Sequence, residues 1–137
     1  MKITAMDSLA GLPAFALYFG LALVLLAAFL TIYVRLTPYR EIELIRGGNV
    51  AAAASLGGAL IGFALPLASS IANSVSLVDM LIWAVVALAV QLLAYLAARL
   101  LVPAIAANVS DGQLASGIFL GAVAVALGIL NAAAMTY

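Results

Sequence analysis

Residues 40–62 read REIELIRGGNVAAAASLGGALIG, and this stretch joins two very different kinds of sequence. Its first seven positions contain four of the chain's few charged side chains: Arg40, Glu41, Glu43 and Arg46. The next charged residue is Asp79, and the intervening sequence is dominated by small and apolar residues. An abrupt change from charged to small apolar residues is typical of the point where a chain enters a lipid bilayer.

The composition supports a membrane environment for the whole chain. Of its 137 residues, 69% are hydrophobic and 7% are charged, whereas a soluble domain is roughly 45–50% apolar and about 25% charged. The net charge is zero, so we expect no nucleic-acid partner. Cysteine and histidine are absent, which removes thiol chemistry, thiolate metal sites and the commonest general base. We therefore expect no enzymatic activity and no cofactor.

The sequence predicts an all-α polytopic membrane protein. A membrane-spanning helix needs about 20 mostly apolar residues, and the chain contains four such runs, at about 12–34, 50–74, 79–101 and 113–135. Arg35, Arg40, Arg46 and Arg99 would all lie at one membrane face, with Lys2 alone at the other. Because lysine and arginine concentrate in the cytoplasm, we expect both connecting loops there and both termini outside.

Residues 38–48 connect the first two predicted spans. Pro38 is suited to starting a short helix. Its apolar side would carry Tyr39, Ile42 and Ile45 and its other side largely Arg40, Glu43 and Arg46, so that it lies exposed at the lipid headgroups. This predicted cytoplasmic interface segment contains Arg40, Glu41, Glu43 and Arg46. Asn49 is the predicted N-cap of the second span. The alternative is a solvated polar loop without helical structure.

The two halves of the chain resemble each other at a spacing of 64 residues. Arg35-Leu36 then corresponds to Arg99-Leu100, and Leu56-Gly57 to Leu120-Gly121. This pattern predicts two parallel two-helix membrane repeats, 1–75 and 76–137, related by an axis along the membrane normal.

Small residues recur at helical spacing in the second and fourth spans. In lipid, such residues allow helix backbones to approach closely. The predicted helix-packing residues are Ala54, Gly58, Gly62, Gly117, Gly121 and Gly128. The alternative is a glycine wall that lines a pore or a ligand groove.

Several polar residues and one proline interrupt the apolar spans. They form a candidate polar path of Pro66, Ser69, Asn73, Asp79, Gln91 and Asn131. Hydrogen bonds between helices are the structural alternative for the amides. Asp79 is expected to cap the third span, with contact to an ion or substrate beside Asn73 as the alternative. Every carboxylate falls in a loop or at a helix end, which disfavours proton-coupled transport.

The stretch LTPYREIELIRGGNVAAAASLGGALIGFALPLASSIANSVS, with QLLAYLAARLLVPAI and the ending GILNAAAMTY, resembles the YjfL family of small bacterial inner-membrane proteins. The resemblance implies inner-membrane residence and duplicated helix pairs, and it supplies no catalytic residues. Genes of this family often neighbour those of PspA-like envelope-maintenance proteins, which implies a role in membrane integrity or envelope stress.

Two functions are consistent with these features. The first is a non-enzymatic assembly or interaction component that forms homo-oligomers, contacts membrane lipid and recruits a peripheral cytoplasmic partner through residues 38–48. The second is a small oligomeric channel or passive transporter that uses the candidate polar path.

Overall fold

The computed structural model describes residues 5–73 and 76–135, all of whose regular structure is helical. The helices are α1 (Ala5–Ala10), α2 (Leu12–Leu36), α3 (Glu41–Arg46), α4 (Val50–Asn73), α5 (Leu77–Leu101), α6 (Ile105–Ser110) and α7 (Leu114–Ala134). Four stretches are long and apolar enough to cross a membrane: α1 with α2, α4, α5 and α7. The predicted all-α class and the four spans are therefore confirmed, with ends that differ by a few residues. Lys2, Ser74 and Tyr137 lie outside the described residues.

Local capping determines where two of the spans begin. The side chain of Asn49 accepts a hydrogen bond from the backbone N–H of Ala52 at 2.9 Å, which confirms the predicted N-cap of α4. Ser76 caps α5, because its hydroxyl oxygen accepts from the backbone N–H of Asp79 at 3.1 Å. The expectation that Asp79 is itself the cap is wrong. Asp79 lies in the first turn of α5, where its charge complements the helix dipole.

The closest helix pair is formed by α4 and α7, which run parallel. Ala51 lies against Gly117 near the start of both helices, and Gly62 lies against Gly128 further along. Helix α5 packs against both members of this pair. Helix α2 is peripheral. In the most apolar stretch of α1 and α2 taken together, 11% of the residues are buried, compared with 56% in that of α4. The stacked rings of Phe29 and Phe63, 4.3 Å apart, join α2 to α4.

The short helices α3 and α6 lie at one end of the bundle, here called the α3/α6 end. Each has six residues, and their boundaries are separated by 64 positions. Each is followed by a glycine with positive φ, Gly48 at 90° and Gly112 at 80°. The turns also share hydrogen bonds: Asn49 N–H donates to the Leu44 carbonyl, and Gln113 N–H to the Asn108 carbonyl, both at 2.9 Å.

Candidate functional site

Glu41, the first residue of α3, is the most unusual side chain at the α3/α6 end. It is only 1% exposed, although carboxylates are almost never fully buried unless they are paired. The hydroxyl of Thr37 donates a hydrogen bond to its Oε1 atom. Burial raises the pKa of Glu41 from its usual 4.5 to about 7, and the Thr37 bond opposes part of that rise. Glu41 can therefore exchange a proton near neutral pH.

Three tyrosines surround this carboxyl group. Tyr33 comes from α2, Tyr39 from the segment before α3, and Tyr95 from α5, and all three are buried. Each lies close enough to interact electrostatically with Glu41. Burial, followed by the charge of Glu41, raises the pKa of Tyr39, so its hydroxyl keeps its proton. The carboxyl group thus lies among neutral aromatic side chains.

Several buried polar atoms near this site lack a hydrogen-bond partner among the described residues. They are the hydroxyl of Tyr95, Oε2 of Glu41 and Oε1 of Gln91, whereas the Tyr39 hydroxyl has the Ser55 side chain as a hydrogen-bonding neighbour. Gln91 lies one turn from Tyr95 on α5, and its Nε2 atom donates to the Ala124 carbonyl of α7 at 3.1 Å. Because buried polar atoms are nearly always hydrogen-bonded, these unpartnered oxygens call for an explanation.

A cleft between α2 and α5 leads to this region. Its volume is about 210 Å³, and it is lined by Tyr33, Leu36, Thr37, Leu92, Tyr95, Leu96 and Arg99. Three of these residues, Tyr33, Thr37 and Tyr95, also contact or flank Glu41. Glu41 is not part of the lining, so these three side chains lie between the cleft and the buried carboxyl group.

The structure contradicts one expectation for the interface segment. Arg40, Glu43 and Arg46 are exposed, with an ion pair of 3.3 Å between Arg40 and Glu43. The expectation that Glu41 is exposed with them is wrong, because its side of α3 faces the bundle, as do the half-buried Leu44 and Ile45. The i, i+3, i+4 spacing of these three residues was the sequence signal for that buried face.

The predicted packing residues lie between α4 and α7 of the same chain. A Cβ atom added at Gly58 would overlap the backbone of Gly121, and one at Gly121 would meet the Ala54 carbonyl at 2.5 Å. Added Cβ atoms at Gly117 and Gly128 would overlap the backbones of Ala51 and Gly62. Small residues thus allow direct backbone contact within the monomer.

The candidate polar path divides into buried and exposed members. Pro66 is buried within α4, and the carbonyl of Gly62, which Pro66 leaves without its helical donor, lies against Gly128. Gln91 is buried, and Nδ2 of Asn131 is buried without a partner among the described residues.

The other members lie near the opposite end of the bundle. The side chain of Asn73 is exposed and donates to the Ser69 carbonyl of its own helix at 2.9 Å. Ser69 is partly buried, as is Asp79 at the start of α5. Whether the six residues form a route for solutes stays a prediction.

The donors at the Glu41 site are oxygens, and they do not form a multi-carboxylate metal site. Within residues 5–73 and 76–135, no three histidine, cysteine, aspartate or glutamate side chains are grouped to hold a metal ion. A single carboxyl group with neutral hydroxyls suits a proton or a singly charged hard cation.

Comparison with known proteins gives the chain its family. Residues 7–135 match the family described as Domain of Unknown Function (DUF350). The chain is 39% identical over 132 residues to the UPF0719 inner membrane protein YjfL of Escherichia coli K12, covering 96% of this chain and 100% of that protein. It is 34% identical over 88 residues to the UPF0719 transmembrane protein YshE of Bacillus subtilis strain 168, covering 64% and 66% of the two chains.

No solved structure matches the chain. The long match to YjfL agrees with the four apolar helices that are long enough to cross a membrane. The chain is a multi-pass inner-membrane protein, and it belongs to the UPF0719 family, which carries the DUF350 domain.

Proposed function

We propose that this chain is a non-enzymatic assembly component of the inner membrane that forms homo-oligomers and contributes to membrane integrity or the response to envelope stress. The observation that supports self-association is an open groove on the outer side of the α4–α7 pair. Its volume is about 610 Å³, and its lining is small and apolar: Ala53, Ala54, Gly57, Gly58, Ile61, Ile118, Gly121, Ala122, Val125, Ala126 and Ile129.

The shape of this groove suits a second copy of the chain. Gly57 lies midway along the part of α4 that lines the groove, and an added Cβ at Gly57 would meet nothing within 4 Å. Isoleucines also line the groove, with Ile61 and Ile129 more than half exposed. A two-fold interface needs a surface that carries both hollows and ridges, because the same patch serves both partners. Small residues at such a surface also suit helix association in lipid.

We further propose that the α3/α6 end faces the cytoplasm and that the chain consists of two parallel repeats. The arginines at this end support the orientation, and the 64-residue correspondence of α3 with α6 supports the repeats. A second cleft, of about 510 Å³, lies at this end and includes Arg40, Glu43 and Ser110. Its exposed charges suit a peripheral cytoplasmic partner or lipid headgroups.

The test of self-association uses one substitution in the groove and one matched control. Gly57→Leu fills part of the groove, so we expect the crosslinked oligomer in native membranes to decrease at least tenfold, since each 1.4 kcal/mol of lost contact is about tenfold. Gly20→Leu is the control, because Gly20 is also half-exposed in a spanning helix with no atom within 4 Å of an added Cβ. Equal crosslinking in wild type and Gly57→Leu would contradict the proposal.

A second candidate is a small channel or passive transporter. It is favoured by the unpartnered polar atoms of Gln91 and Asn131, which are buried within membrane-spanning helices. Intramembrane polar groups often mark solute pathways. Purified protein in liposomes would be tested for flux of ions, water and small solutes. Flux that is lost in Asn131→Leu supports this candidate, and no flux with any of these solutes argues against it.

A further inference from the structure

The burial of Glu41 is not explained by the needs of the fold. In the 64-residue correspondence, the position of Glu41 in α3 is matched by Ile105 in α6. Ile105 is 0% exposed and packs in the apolar cluster at the α3/α6 end. The same short helix and turn can therefore be built with an apolar side chain at this position. A carboxyl group at the matching site carries a desolvation cost that an isoleucine avoids.

The surroundings of Glu41 contain unpartnered oxygen atoms that suit a positively charged ligand. One carboxylate oxygen is bonded by Thr37, whereas the other has no partner among the described residues. The hydroxyl of Tyr95 is likewise buried and unpartnered there, whereas the Tyr39 hydroxyl has the Ser55 side chain as a hydrogen-bonding neighbour.

The titratable groups near Glu41 are Tyr33 from α2, Tyr39 from the segment before α3 and Tyr95 from α5. Arg99 of α5 interacts with Tyr95 and lines the same cleft. Helices α4, α6 and α7 contain no titratable side chain.

We propose that Glu41 and the hydroxyl of Tyr95 bind one monovalent alkali cation, whose route is the cleft between α2 and α5 that Tyr95 lines. Carboxylate and hydroxyl oxygens are the donors that hard cations prefer. One negative charge balances one monovalent ion, whereas a divalent ion would leave an uncompensated charge in a buried site. The cation would also satisfy oxygen atoms that otherwise lack a partner.

Protons and the cation must compete for this site, because both bind the same carboxylate. The pKa of Glu41, raised to about 7 by burial, sets the pH at which competition begins. Below pH 7 we expect the apparent affinity for the cation to fall about tenfold per pH unit, as the protonated fraction grows. Above pH 8 the affinity should be independent of pH.

The experiment measures thermal unfolding of the purified full-length chain in detergent at pH 8. NaCl and KCl are titrated in separate arms at constant ionic strength, with N-methyl-D-glucamine chloride as the balancing salt. A ligand that binds the native state raises its stability with concentration. We expect NaCl or KCl to raise the melting temperature, and Glu41→Gln to weaken the apparent affinity at least tenfold.

Glu43→Gln is the matched control. Glu43 lies in the same short helix and is exposed, so its neutralisation should leave the cation response unchanged. If Glu41→Gln does not fold, Tyr95→Phe keeps the ring and removes one hydroxyl ligand, and it should weaken the affinity severalfold. A melting temperature that responds to pH but not to Na⁺ or K⁺ would indicate a proton site only and overturn the proposal. An unchanged cation response in the folded Glu41→Gln or Tyr95→Phe variant would also overturn it.

Discussion

Glu41 shows how one residue can depend on parts of the chain that are far away in sequence. Its neighbours Tyr33, Tyr39 and Tyr95 come from two spanning helices and a connecting segment. The carboxyl group is buried because α3 packs against α4 at the end of the bundle where Tyr33 of α2 and Tyr95 of α5 also lie. Its proton affinity is therefore a property of the assembled fold.

We predict that Glu41 makes the stability of the protein depend on pH when only an organic cation is present. The native state holds a proton up to about pH 7, whereas the unfolded chain releases it near 4.5. Stability should therefore be full below pH 4.5 and fall as the pH rises to 7, by about 1.4 kcal/mol per pH unit. Melting temperatures from pH 4.5 to 8 in detergent check this expectation.

Glu41→Gln removes the titrating group, so its melting temperature should vary much less over the same pH range. Glu43→Gln should keep the wild-type slope, since Glu43 is exposed. Identical slopes in wild type and Glu41→Gln would show that another group controls the pH dependence.

Helices α4 and α7 are in direct backbone-to-backbone contact. Gly62 is the point where three helices come together, because an added Cβ there would overlap the Ala124 carbonyl of α7 and meet Nε2 of Gln91 from α5 at 2.5 Å. Pro66 is accommodated one turn further along α4 without ending the helix. Small residues therefore determine how closely the central helices approach.

We predict that Gly62→Ala destabilises the fold by about 1–3 kcal/mol, because the new methyl group must displace backbone atoms. Gly57→Ala is the matched control in the same helix, and its Cβ would meet nothing within 4 Å. Its effect should be at most about 1 kcal/mol and stabilising, since alanine favours the helix over glycine. Unfolding by increasing SDS in mixed micelles measures both variants. Equal stability of the two variants would contradict the close contact at Gly62.

The elements that the sequence predicts best are those decided by local rules. The four spans follow from run length and composition, and the Asn49 cap follows from a side chain that bonds its own helix three residues on. The burial of Glu41 was missed because α3 was assigned to the headgroup surface, where every charge would be exposed. Its true environment depends on where α2 and α5 pass, which a single sequence does not give.

On the scale of the whole molecule, α4, α5 and α7 form a compact core, and α2 is attached at its edge. The Phe29–Phe63 stack contributes to that attachment. Asn49 adds a link at the α3/α6 end, where its Nδ2 atom donates to the carbonyls of Val109 and Ser110 at 2.9 and 3.2 Å. These two hydrogen bonds join the start of α4 to the end of α6, across 60 residues of sequence.

We predict that the chain ends on the periplasmic side after α7. A carboxy-terminal alkaline phosphatase fusion should be active, and a green fluorescent protein fusion at the same point should be dark, because arginine-rich ends stay in the cytoplasm. Insertion of the same reporters after Arg46, in the segment between α3 and α4, is the internal control and should give the opposite pattern. A fluorescent carboxy-terminal fusion would reverse the proposed orientation.

The backbone contact between α4 and α7 also limits where a solute can pass through this protein. A contact made of glycine and alanine has no side-chain rotamers through which it can loosen, and close backbone packing leaves no gap for a water molecule or a lipid tail. The contact between α4 and α7 is therefore either intact or lost as a whole. We therefore expect any solute that crosses a single chain to pass where α2 packs loosely against α5, and not between α4 and α7.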